Sequence, residues 1–68
     1  MANWKSVFST SFPYQAEIVK DVLEDRGLKP IVLNKKEYFS QTGFCEVLVE
    51  QDELIMAIKI IQDEIQFK

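Results

Sequence analysis

Few residues in this chain are equipped for covalent or acid–base chemistry. It contains no histidine, so neither a Ser–His nor a Cys–His nucleophile can be assembled. Its one cysteine, Cys45, cannot form an intramolecular disulfide, and with no imidazole beside it a zinc site lacks its usual ligands. Cys45 stands in the apolar run FCEVLVE. Reactive thiols need an exposed, electropositive setting, so it reads as a structural thiol facing inward. Glu17 with Asp21, and Asp21 with Asp25, are carboxylate pairs one helical turn apart. Acid–base work needs paired acids in different environments; these read as one solvated face, which could also dock a basic partner. The remaining candidates cluster in NKKEYFSQTG, residues 34–43. Lys35 and Lys36 could hold an anionic ligand or a partner's carboxylate, against the plainer reading of two solvated lysines. Tyr38 and Phe39 are of the type enriched at binding surfaces, against the plainer reading of a lid over the core edge. The balance points to a non-enzymatic chain without cofactor or metal.

Composition narrows the class further. The 68 residues are read as one domain, 1–68, with 47% hydrophobic and 28% charged residues, as in folded proteins. So short a chain has a core margin of roughly 3–5 kcal/mol, and association is the supplement still open to it. The formal net charge of −3 argues against nucleic acid as a partner, because phosphate contacts dominate that affinity. The opening MANWKSVFSTS has no long apolar stretch, and no run approaches the length of a membrane span. The expectation is a cytoplasmic protein with no membrane partner.

The elements that must position these residues are organised around AEIVKDVLEDRGL, residues 16–28. Ala16, Val19 and Leu23 repeat at steps of three and four, with Ile18 and Val22 widening the stripe and Glu17, Lys20, Asp21, Glu24 and Asp25 opposite. Pro13 suits a first helical turn, Ser11 is the expected N-cap, and Gly27 can take the left-handed conformation that stops a helix. Before it, residues 3–9 read as a strand with Trp4, Ser6 and Phe8 on one face. After it, residues 29–33 (KPIVL) read as a second strand, residues 34–43 as a polar connection, and residues 44–50 as a third strand with Cys45, Val47 and Val49 on one face. Residues 51–67 return to the helical period, with Asp52 and Glu53 in the first turn and Glu64–Lys68 as a four-residue ion pair.

The order β-α-β-β-α predicts an α+β, two-layer sandwich. Inserting the third strand between the first two gives the split β-α-β of ferredoxin-like folds, with a fourth strand missing or vestigial at residues 66–68. Both helices then cover one face. Phe44 and Leu48 fall on the other, and the first strand is left as an open edge. Trp4, Phe44 and Leu48 are the expected interface of a homodimer or higher oligomer.

The chain resembles the small prokaryotic signal transducing protein family, a domain family of unknown function with a ferredoxin-like, PII-like fold. The residues that carry the resemblance are Trp4 and Val7-Phe8, the whole AEIVKDVLEDRGL segment, residues 32–36 (VLNKK), Gly43 with residues 46–49, and Ala57 with Ile60-Ile61. The resemblance implies the fold and a signalling or regulatory role. The chain departs from PII proteins in its shortness, in a connection at 34–43 too short for their effector loop, and in having no nucleotide-binding motif, so their ATP or 2-oxoglutarate sensing is not carried over. Two functions are thereby expected. The first is a binding module that self-associates or takes another protein, and the alternative is a sensor of a small anionic ligand held between residues 34–43 and the sheet.

Overall fold

One strand has neighbours on both sides, and the rest of the chain is arranged about it. The computed structural model describes residues 3–36 and 43–65. In chain order these form β1 (Trp4–Thr10), α1 (Pro13–Asp25), β2 (Ile31–Lys36), β3 (Gly43–Glu50) and α2 (Leu54–Glu64), with a short 3-10 turn, Gln51–Glu53, leading into α2. The sheet order is β1-β3-β2, with β3 antiparallel to both neighbours. The fold is therefore α+β: a three-stranded antiparallel sheet with two helices. Of the two placements open to the third strand, the central one is adopted.

Both helices pack on one face of the sheet. Cys45, Val47 and Val49 of β3 meet Ala16, Val19 and Leu23 of α1, Ala57 of α2 and Leu28, all nearly solvent-free. Val32, Ile60, Ile61 and Ile65 close the margins of this cluster. α1 owes its place to the three-and-four spacing of its apolar residues, and its end to Gly27. That residue has φ of 91°, its N–H donates to the Glu24 carbonyl at 3.0 Å, and the Leu28 N–H reaches back to the Leu23 carbonyl at 3.0 Å. This pair of bonds is the Schellman arrangement, completed by the burial of Leu28 beside Leu23.

Several boundaries differ from the expected ones. Phe12, not Ser11, is the N-cap, and no side chain caps the helix. Instead the Phe12 N–H donates to Thr10 Oγ1 at 3.1 Å, and the Thr10 hydroxyl donates to Gln15 Oε1 at 2.6 Å. A buried hydroxyl is thereby satisfied in both roles, which removes the cost of burying it. β2 starts after the buried Pro30 and continues through Lys36, because its ladder with β3 extends to Lys35 opposite Phe44 and Lys36 opposite Gly43. The expected long loop at 34–43 is shortened accordingly. Asp52 and Glu53 lie in the 3-10 turn ahead of α2. Glu64 pairs with Arg26 at the end of α1; Lys68 and the expected fourth strand lie outside the described residues.

The largest departure is in β1. Ser6 pairs with Leu48 and Phe8 with Val47, so Val7 is an extra residue without its own partner position. Such a bulge reverses the alternation of everything beyond it. Trp4 and Ser6, opposite Glu50 and Leu48, belong to the face away from the helices, whereas Phe8 and Thr10, opposite Val47 and Cys45, belong to the helix face. The expected sharing of one face by Trp4 and Phe8 is thus corrected. The bulge also lets the adjacent Val7 and Phe8 both pack against the core.

Two substitutions separate packing from conformation. Leu23→Ala should cost about 2–5 kcal/mol by emptying the centre of the core, enough to leave the domain largely unfolded in urea-free buffer. Gly27→Ala should cost about 1–2 kcal/mol. A Cβ there meets no atom within 4 Å, so the loss is purely that of the left-handed backbone. Urea titrations followed by circular dichroism check both, and a Gly27→Ala loss as large as that of Leu23→Ala would contradict the account.

Candidate functional site

The face of the sheet turned away from the helices carries the most distinctive surface. Its central strand supplies Phe44, Glu46, Leu48 and Glu50, alternating with the core residues Cys45, Val47 and Val49. Leu48 retains only 9% of its surface although neither helix touches its side of the sheet. On its own layer it stands between Ile31 of β2 and Ser6 of β1. Trp4, one pair further along beside Glu50, is diagonal to Leu48 and within reach of a large side chain. On the other flank Leu33 pairs with Glu46 and is diagonal to both Leu48 and Phe44. Trp4, Leu48, Ile31, Leu33 and Phe44 thus run as an apolar band across all three strands. Trp4 is 38% and Leu33 42% exposed.

Of the residues expected at an interface, Trp4, Phe44 and Leu48 share this face, with Trp4 and Phe44 at opposite ends and Leu48 between them. Sequence reasoning missed Ile31 and Leu33. The signal was the alternation in IVL, which becomes readable once β2 is known to flank β3 on the same layer. Glu46 is half-buried in the middle of the band.

The residues expected to bind a ligand fall partly within β2. Lys35 and Lys36 are the last two residues of β2, in ladder with Phe44 and Gly43. They are therefore strand positions rather than part of the polar connection in which they were expected. Tyr38 and Phe39 lie outside the described residues.

Among the described residues no group of three or more His, Cys, Asp or Glu is placed to hold a metal ion. No helix of the described residues is long and apolar enough to cross a membrane. Cys45 is buried among the core residues, and its thiol donates to Asn34 Oδ1 at 2.8 Å across the β2–β3 ladder. The chain matches no protein-family model, no curated protein and no solved structure.

The burial of Cys45 gives a direct check on this face assignment. In the folded protein the thiol should react with a maleimide at least about 100-fold more slowly than in urea, since only the open state presents it. Equal rates in the two conditions, followed by mass spectrometry, would place Cys45 on the open face and reverse the sides of the sheet.

Proposed function

We propose that the chain is a small, non-enzymatic, cytoplasmic binding module of ferredoxin-like type. It acts as a homo-oligomer whose interface is the open face of the sheet, in a signalling or regulatory setting. The observation that carries the reading is the band of Trp4, Ile31, Leu33, Phe44 and Leu48. It crosses the whole sheet on the side opposite both helices, with no described element packed over it. A domain this small has little apolar surface to spare, and an aromatic anchor beside aliphatic residues is the usual make-up of an interface centre.

The face is favoured over the edge of β1. The bulge at Val7 twists that edge, and the exposed Lys5 lies along it; both are devices that discourage strand-to-strand pairing. The alternative is a sensor of a small anionic ligand, with Lys35 and Lys36 at the end of β2. The signalling role rests on family resemblance alone, and fold does not establish function.

Light scattering across a concentration series tests the proposal. Wild-type chain should show at least dimer mass by about 100 micromolar. Trp4→Ala and Leu33→Asp should each raise the dissociation constant about tenfold or more, while their thermal unfolding in dilute solution stays close to that of the wild type. Monomer mass for the wild type throughout the series would overturn it.

A further inference from the structure

α1 turns a second apolar surface to solvent, on the far side of the molecule from the sheet. The spacing that buries Ala16, Val19 and Leu23 sets Tyr14, Ile18, Asp21 and Asp25 along the opposite line of the helix. Tyr14 is 60% and Ile18 43% exposed, and Phe12, 54% exposed, stands beside Tyr14 with ring centroids 6.0 Å apart. The N-terminal half of this line is thus apolar and the C-terminal half acidic. Glu17, one turn before Asp21, lies 4.0 Å from Lys20, whereas Asp21, Glu24 and Asp25 have no ion-pair partner among the described residues. α1 holds four carboxylates against one lysine, a balance of −3 that equals the formal net charge of the entire chain. The rest of the sequence is balanced, so the charge excess is concentrated on the helix that also exposes the apolar line.

We propose that this line of α1 docks a basic amphipathic segment of another protein. An apolar side chain of the partner seats on Tyr14 and Ile18, and cationic side chains meet Asp21, Asp25 and Glu17. Charge complementarity selects the occupant. Anionic lipid and nucleic acid are repelled by the same carboxylates that attract lysine and arginine, and a purely apolar partner would leave the acidic half unanswered. Ile18 and Asp25 are seven residues apart, about 10 Å along the axis. A partner helix with an apolar residue two turns from a basic one matches that span. The surface is distinct from the sheet face, so its occupancy does not depend on self-association.

The test uses the full chain and a labelled helix-forming peptide made only of leucine and lysine, followed by fluorescence anisotropy at about 0.15 M salt. A second peptide replaces every leucine with alanine. Wild-type chain should bind the leucine–lysine peptide by about 100 micromolar, and the alanine–lysine peptide about tenfold more weakly or worse. Ile18→Ser and the double variant Asp21→Asn, Asp25→Asn should each weaken binding about tenfold. Ile55→Ser, at an 83% exposed apolar residue of α2, should leave binding unchanged. Equal binding of the two peptides, unchanged binding by Ile18→Ser or by the double aspartate variant, a loss with Ile55→Ser, or no binding by the wild type would each overturn the proposal. All substituted positions are exposed, and matching thermal unfolding curves confirm that the variants remain folded.

Discussion

The structure depends on β3 being hydrogen-bonded along both of its edges. In the three-stranded sheet one strand is two-sided, and whatever occupies that position must serve two surfaces at once. FCEVLVE meets the requirement by alternation. Cys45, Val47 and Val49 enter the core beneath the helices, and Phe44 and Leu48 lie on the opposite, open face. Because the two sets interleave residue by residue, a one-residue slip of β3 against its neighbours would exchange core and surface completely. The helices add to that arrangement rather than create it. α1 spans all three strands, and α2 contributes a single solvent-free residue, Ala57, to the core.

The bulge at Val7 follows from the same constraint. A regular β1 would send Trp4 and Phe8 to one side together, either crowding the helix layer with an indole or leaving both aromatics in solvent. One extra residue assigns Phe8, with Val7, to the core and Trp4 to the open face. The irregularity therefore serves both surfaces. It also marks β1 as an edge less suited to strand pairing.

What could be read from the residues follows the strength of the periodic signal. α1 was legible because its apolar spacing, Pro13 and Gly27 agree with one another. The inward face of β3 was legible because Cys45, Val47 and Val49 alternate without interruption. The face of Trp4 was not, since a bulge leaves no mark in composition; Val7 is as apolar as a regular strand residue. The extent of β2 was also hidden. Asn34, Lys35 and Lys36 carry the polar signature of a loop, and what holds them in a strand is the ladder to Cys45, Phe44 and Gly43. The outer line of α1 was visible only as an acidic face, because Tyr14 lies ahead of the segment that the helical period made obvious and Ile18, expected to widen the buried stripe, is instead 43% exposed on the opposite side.

The central claim, that β3 lies between β1 and β2 in the stated register, is tested most directly by residue-resolved amide hydrogen exchange at low protein concentration. The account predicts continuous protection from residue 44 to residue 50. In β1 and β2, regions of regular pairing should instead alternate protected and fast-exchanging amides, because each has one free edge. Alternating protection within β3, with continuous protection in β1 or β2, would mean that another strand is central and would contradict the account.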